Sequence, residues 1–270
     1  MDAQVHCLWA SSSANCKGGS MSRFDSPFVA FAVIFSVQAI AAYAGDLFRR
    51  KVRPLRKAGE RSDFDLLRAG ALTLLALIIG FSFAMAVSRY DQRKNLEEAE
   101  ANAIGTEYLR ADLLPAEDAA RVRDLLRRYI DLRISYYETK DQRRIREIDA
   151  DTAKVQADMW SVVVNVAKDT PSVALARWGM NEVINSQGYT QAAWWNRIPI
   201  TAWVLMVIVA IVCNLLLGYG EHSTTWFLLI LPVIVSISFF LIFDIDSPRT
   251  GLIRNLPENL LAQQQSMKAE

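Results

Sequence analysis

Four apolar stretches dominate the hydrophobic pattern of the chain, at positions 27–44, 69–87, 199–217 and 226–243. Each is close to the ~20 residues with which a helix crosses ~30 Å of hydrocarbon, at a rise of about 1.5 Å per residue. None of them contains Asp, Glu, Lys, Arg or His, whose burial in lipid is costly. The pattern predicts an all-α integral membrane protein with four transmembrane helices in two pairs.

The segment between the two pairs is rich in charged residues, yet its apolar residues recur at three- and four-residue spacing. Val122, Leu126, Tyr129 and Ile130 form one such series, which is typical of an amphipathic helix. The charged residues at 121–133 are interpreted as its solvated face. First-turn prolines at Pro115 and 171 predict further helices, and another helix is predicted over 142–166. The sequence therefore predicts a helical extramembrane domain between transmembrane helices 2 and 3.

The predicted organisation has five parts. They are a disordered extension at 1–22, the first helix pair with its basic loop at 23–90, the helical domain at 91–197, the second pair at 198–246 and a tail at 247–270. The first loop is short enough to place the first two transmembrane helices side by side. Gly218, Gly220, Ser223 and Thr224 are expected to form the turn of the second pair. A cleaved signal peptide is the alternative for the first stretch, but the basic run at 49–57 favours an uncleaved helix.

Composition excludes several classes of function. Lys plus Arg number 30 against 29 Asp plus Glu, so no overall positive charge attracts nucleic acid. The three cysteines and two histidines show no disulfide, zinc or HExxH spacing. No catalytic group, cofactor or metal ligand is predicted, and an enzyme is the least favoured class.

Three segments carry a resemblance to a known family. The first runs over 80–115, the second over 181–199 and the third over 244–254. Their motif residues are Glu100, Asn102, Gly105, Arg110, Asn181, Asp246, Pro248 and Gly251. Together with the two-plus-two helix plan, these segments resemble a family of uncharacterised bacterial multi-pass membrane proteins described as bestrophin-like.

The resemblance implies a homo-oligomer in the bacterial inner membrane. Bestrophins are pentameric anion channels with a pore lined by the second membrane helix and a cytosolic helical domain, so small inorganic ions are the implied ligands. The chain lacks the run of acidic residues that forms the calcium clasp of the animal channels, and calcium gating is not implied. The rival hypothesis is a non-conducting scaffold or sensor that binds a partner through its helical domain. A transporter is disfavoured because the spans contain no charged residue for ion coupling.

The second apolar stretch supports two interpretations of its faces. Small residues at Gly70, Gly80 and Ala84 let another helix approach closely, which favours packing. Ile79, Phe83 and Val87 recur at four-residue spacing and are possible pore-lining residues around an apolar constriction. One sequence does not separate these interpretations.

Polar residues near the spans give three further expectations. Asp244 and Asp246 end the fourth helix, where the helix dipole disfavours an anion, so Arg249 or Arg254 is expected to compensate, with solvation at the interface or a bound cation as the alternatives. Asn214 is expected to bond to a neighbouring helix within the membrane, at a residue such as Ser236 or Ser238. Glu100 and Asn102 are expected to bond to a neighbouring helix, and the alternative is that they continue an ion path.

Overall fold

The computed structural model describes residues 27–52, 58–167, 170–220, 225–249 and 251–269, and these residues form eight α-helices with no strand. The helices are α1 (Pro27–Val52), α2 (Ala58–Arg110), α3 (Ala116–Glu138), α4 (Gln142–Val164), α5 (Pro171–Trp195), α6 (Ile200–Gly220), α7 (Thr225–Asp246) and α8 (Glu258–Ala269). The all-α prediction is confirmed. The extension predicted at 1–22 lies outside the described residues.

Four helical segments are long and apolar enough to cross a membrane. They are Phe28–Lys51, Asp63–Leu113, Pro171–Gly220 and Trp226–Asp246, and they contain the four predicted stretches. Large apolar side chains stay exposed on each of them, including Ile40, Phe81, Ile200 and Trp226. Lipid solvates such side chains, so the chain is an integral membrane protein with a helical domain between its second and third spans.

α2 joins the membrane part to the extramembrane domain without a break. Its 53 residues extend for about 80 Å, more than twice the thickness of the hydrocarbon core. The helix begins inside the predicted basic loop and continues through Val87 into the domain. The boundary predicted between positions 90 and 91 therefore falls in the middle of one helix.

The first two transmembrane helices do not lie side by side, so that prediction is wrong. Within the described ranges, α1 and α2 each pack against α6 and α7 instead. The α1–α6 contact is close because two glycines face the opposite backbone. A Cβ on Gly45 would lie 2.2 Å from the Leu215 carbonyl oxygen, and a Cβ on Gly218 would lie 1.9 Å from that of Ala42.

Two further expectations for the second helix pair are corrected by this packing. Gly218 and Gly220 are the last turn of α6 rather than part of a turn, while positions 223 and 224 lie outside the described residues. The Asn214 side-chain amide donates to Gln38 Oε1 at 3.0 Å, not to Ser236 or Ser238. Because α1 is the closer neighbour of α6, the buried amide finds its partner there.

The extramembrane domain packs α3, α4, α5 and α8 around the second half of α2. Its core includes Ile104, Leu126, Val155, Met159 and Met180, all fully buried. Pro115 is the N-cap of α3 and Pro171 opens α5, as predicted. α8 lies within the segment predicted as a C-terminal tail and packs against α2. The Leu260 backbone amide of α8 donates to the Glu97 side chain of α2 at 2.9 Å.

Candidate functional site: the exposed face of the second membrane helix

α2 has one buried side and one exposed side along its described length. Its exposed side carries a stripe of small and polar residues, called here the outer stripe. The outer stripe consists of Gly80, Ala84, Ser88, Asp91, Asn95, Glu98 and Asn102, all exposed in the single chain. Their three- and four-residue spacing places them on one face of the helix.

The outer stripe borders a shallow, open depression around the membrane end of the domain. Phe83, Ala84, Val87, Ser88 and Asp91 line it, together with Gln92, Asn95 and Leu96. The surface therefore changes from apolar to polar within two helical turns. This change occurs where the apolar span ends.

The three possible pore-lining residues occupy different surroundings. Phe83 is 41% exposed and lines both the depression and a groove between α2 and α7. Val87 is half-buried and lines the depression, while Ile79 is half-buried and lies in the groove beside Leu231 and Val235. Phe83 and Val87 thus border the outer stripe, whereas Ile79 turns towards α7. A pore-lining role for the three stays a prediction.

The three small residues predicted to mediate packing, Gly70, Gly80 and Ala84, do not pack against another helix among the described residues. A Cβ on Gly70 or Gly80 would have no heavy atom within 4 Å in the part of the chain that the structure describes. Ala84 is exposed as well. The close helix contact within the chain instead depends on Gly45 and Gly218. Packing of Gly70, Gly80 and Ala84 against a second chain stays a prediction.

The exposed charge along the outer stripe is negative. Asp91 and Glu98 are exposed, and neither has an ion-pair partner among the described residues. The basic side chains nearby are turned aside: Arg89 donates to Asn196 Oδ1 at 2.9 Å, and Lys94 pairs with Glu258 at 3.4 Å. The polar half of the stripe therefore presents carboxylates without compensating cations.

Arg93 anchors α2 where it leaves the membrane. Its side chain is fully buried and donates to four carbonyl oxygens, those of Ala193, Asn196, Ile245 and Asp246, at 3.2–3.4 Å. These carbonyls belong to the C-terminal ends of α5 and α7, which a helix leaves without internal partners. One guanidinium group thereby joins three helices and fixes the orientation of α2.

Asp244 and Asp246 are compensated by other groups than those expected. Asp246 accepts from the Ile198 amide at 3.1 Å and lies 4.0 Å from Arg93. Asp244 accepts from the amides of Leu252 and Ile253 at 2.7 and 2.9 Å. Backbone amides neutralise helix-end carboxylates well, and they replace the arginine that the sequence suggested.

Arg249 and Arg254, the expected partners of these carboxylates, bond elsewhere. Arg249 donates to the carbonyls of Tyr136 and Thr139 at 2.6 and 3.0 Å, and its guanidinium lies over the Tyr136 and Trp194 rings. Arg254 donates to the Gly251 carbonyl. Arg249 therefore attaches the segment after α7 to the extramembrane domain.

Glu100 bonds to a neighbouring helix through a fully buried ion pair. Arg133 Nε on α3 donates to Glu100 Oε1, and both side chains are inaccessible to solvent. Burial alone would lower the pKa of Arg133, but the Glu100 carboxylate together with the Tyr129 and Tyr137 side chains raises it overall. Arg133 thus departs from the solvated face predicted for this helix.

The remaining motif residues lie around the second half of α2. Gly105 lies against the Gln263 side chain of α8, and Asn102 is exposed beside the same helix. The Arg110 guanidinium lies 5.4 Å from the centroid of the Trp178 ring, and Asn181 is exposed. Pro248 and Gly251 are buried in the segment after α7.

Glu107 was not singled out by the sequence. It lies about 30 Å beyond Val87 along the helix axis, well outside the apolar span. Its side chain is fully buried against Gly179, and burial raises its pKa to about 8, partly opposed by Arg110. Hydrophobic periodicity does not reveal a buried acidic residue, because it identifies buried positions only from apolar residues.

The fold and the exposed face of α2 define a four-span membrane protein whose second span continues into a helical domain. Solved structures of a bacterial bestrophin homolog from Klebsiella pneumoniae share this fold. One variant matches with a TM-score of 0.65 at 13% identity, over 91% of this chain and 99% of that chain. Another matches with a TM-score of 0.61 at 16% identity, over 90% and 99%.

A third structure, described as a membrane protein, matches with a TM-score of 0.63 at 14% identity, over 90% of this chain and 97% of that chain. No family model matches the sequence, and no curated protein matches it either. The resemblance to bestrophins is therefore confirmed at the level of the fold.

Proposed function

We propose that this chain is one subunit of a homo-oligomeric ion channel of the bacterial inner membrane, with its pore lined by the outer stripe of α2. The observation that carries the proposal is the unpacked face of α2, which passes from Phe83 and Val87 to Ser88 and Asp91. An apolar constriction gates ions by dewetting, and a polar face beyond it receives them. The fold shared with the bestrophin homolog supports the same arrangement.

Several copies must surround the pore, because one four-helix unit encloses no central path. Gly80 and Ala84 have little or no side chain, so copies of α2 can approach a common axis closely at this point of the outer stripe. Phe83 and Val87 then flank that axis as the apolar constriction. This assembly also gives a role to the small residues that do not pack within the chain.

The charge of the outer stripe favours small cations. The resemblance to bestrophins implies anions as the permeant ions. Symmetric copies of Asp91 and Glu98, however, would form rings of carboxylates on the side of the constriction that faces the extramembrane domain. Rings of Asp or Glu are typical of cation pores, while anion pores use Arg or Lys. Arg89 and Lys94 are bonded away from the stripe, so they do not offset these carboxylates.

Two measurements on the purified protein test the proposal. The mass of the protein in detergent gives the number of copies, and a monomer would exclude a central pore. Potassium and chloride flux into liposomes then gives conduction and ion preference. We expect an oligomer with potassium flux above that of empty liposomes.

The second candidate function is a non-conducting scaffold or sensor. Exposed apolar side chains on α5, including Leu175, Trp178 and Tyr189, favour it, since such residues in an extramembrane domain suit a partner interface. An oligomer that conducts neither ion would support the scaffold and exclude the channel.

A further inference from the structure

The chain leaves its last span through a loop that is fastened to the end of α7. The Asp244 carboxylate accepts from the backbone amides of Leu252 and Ile253 at 2.7 and 2.9 Å. Gly251 is required for this approach, because a Cβ there would lie 2.6 Å from the Asp244 carbonyl oxygen. Residues 251–254 are thus held close to the level at which the apolar span ends.

The junction between α5 and α6 lies at the same level. Asp246 accepts from the Ile198 amide at 3.1 Å, which fixes the junction beside the end of α7. Arg93 joins the two segments further, since it donates to the carbonyls of both Asn196 and Ile245. Trp195 and Arg197 therefore lie at the same end of α7 as the 251–254 loop, close to the level at which the apolar span ends.

The side chains that point outward from these two segments combine apolar surface with positive charge. Leu252 is 67% exposed, Ile253 39% and Trp195 69%. Arg197 and Arg254 are exposed beside them. Asp244 and Asp246 are buried and hydrogen-bonded, so the accessible charge of the two segments is that of the arginines.

We propose that these five residues, Trp195, Arg197, Leu252, Ile253 and Arg254, form a surface around the end of α7 that binds the headgroups of anionic phospholipids. We call them the interfacial corner. Trp is enriched at the headgroup level, aliphatic side chains insert into the upper acyl region, and Arg pairs with phosphate. Basic residues at a membrane surface attract anionic lipid.

The level of the corner supports lipid as its occupant. The corner surrounds the end of a span, where headgroups are the molecules in contact with the protein. The hydrogen bonds to Asp244 and Asp246 hold the corner's backbone in place, so less conformational freedom is lost when a headgroup binds. The proposal does not depend on ion conduction.

Thermal unfolding of the full chain tests the proposal. The purified protein is heated in detergent micelles that contain either phosphatidylcholine alone or phosphatidylcholine with phosphatidylglycerol. We expect phosphatidylglycerol to raise the Tm of the parent by roughly 4 °C, given two arginines in the site. The Arg197→Gln/Arg254→Gln double variant should lose most of this rise.

An exposed pair of arginines far from the membrane supplies the matched control. The Arg121→Gln/Arg128→Gln double variant on α3 removes the same charge and should keep the full rise. The proposal is overturned if the parent shows no rise, or if both double variants lose it equally. Inorganic phosphate that reproduces the rise would identify a free-anion site instead. A smaller oligomer for the corner variant would identify an interface between copies.

Discussion

The half of α2 inside the apolar span and the half beyond Val87 bury the same side of the helix with different chemistry. In the membrane, the buried positions are Leu75, Ser82 and Ala86, which contact α6 and α7. Beyond it, the buried positions include Arg93, Glu97, Glu100 and Glu107. The burial pattern continues in phase, so one rigid helix connects both parts, but charged side chains are buried beside apolar ones in the half beyond the membrane.

The difference determines which substitutions are costly. In the membrane half, stability depends on how closely backbones approach, since lipid is as apolar as the side chains it replaces. In the domain half, stability depends on whether each buried charge keeps its partner. The following predictions use matched pairs of substitutions to test these dependences.

The largest effect is expected for Arg133→Met, which leaves Glu100 buried without its partner. Breaking a buried pair costs about 3–5 kcal/mol, whereas an exposed pair contributes at most about 1 kcal/mol. Thermal unfolding in detergent should show a large loss for Arg133→Met and little change for Lys94→Met, which breaks the exposed pair with Glu258. Equal losses would mean that burial of charge does not distinguish the domain half.

Removing both partners of the buried pair sharpens this test. The double variant Glu100→Leu/Arg133→Met should recover most of the stability lost by Arg133→Met alone, because no unpaired charge remains. A double variant no more stable than the single one would assign the loss to packing rather than to charge.

The same substitution at two glycines of the membrane half should change the free energy of unfolding in opposite directions. Gly218→Ala places a Cβ against the Ala42 carbonyl and should destabilise by roughly 1–3 kcal/mol. Gly70→Ala meets no neighbour in the described chain and should stabilise by up to about 1 kcal/mol through helix propensity. Thermal unfolding of the two variants measures this difference, and a loss at Gly70 would place a second chain there.

Glu107 predicts a dependence of stability on pH in the domain half. The unfolded carboxyl ionises near the ordinary glutamate pKa of 4.5, but the folded one has a pKa of about 8. The unfolded state therefore releases its proton first, and raising the pH between these values favours unfolding. From pH 6 to pH 7 the Tm of the parent should fall by roughly 3 °C more than that of Glu107→Gln.

An exposed glutamate on α3 is the control for this dependence. Glu117→Gln should follow the parent at every pH, since Glu117 is exposed at the first turn of α3. If the Tm of Glu107→Gln changed with pH as steeply as that of the parent, the buried Glu107 carboxyl would not be the source of the pH dependence.

The hydrophobic pattern predicted the four spans together with α3 and α4 because these depend on apolar residues at helical spacing, and Pro171 predicted the start of α5. It did not predict α8, which lies in the segment interpreted as a tail. The same reasoning placed Gly218 in a turn and missed Gly45, since the partner of a small residue is decided by which helices become neighbours. It also interpreted Arg133 as solvated, because a buried charge looks like a surface charge until its partner, Glu100, is located. Arg93 was missed for the same reason, as its partners are backbone carbonyls.

The smallest structural change is expected for Asp91→Asn, which removes one carboxylate from each outer stripe. If the stripe lines a pore, the preference for potassium over chloride should decrease while the Tm stays unchanged. Asp158→Asn, an exposed position on α4, should leave the preference as in the parent. Flux of the two ions into liposomes measures both, and an unaltered preference in Asp91→Asn would remove the stripe from the ion path.

The most direct test of the central claim compares two exposed phenylalanines of α2 that point in nearly opposite directions from the helix axis. Phe83 borders the outer stripe, whereas Phe81 is 72% exposed and absent from the lining of the depression. If the outer stripe lines an oligomeric pore, Phe83→Ala should widen the constriction and raise ion flux in liposomes, while Phe81→Ala should leave flux unchanged. Absence of flux from the parent and from Phe83→Ala, with both proteins folded and oligomeric, would contradict the channel and leave the scaffold.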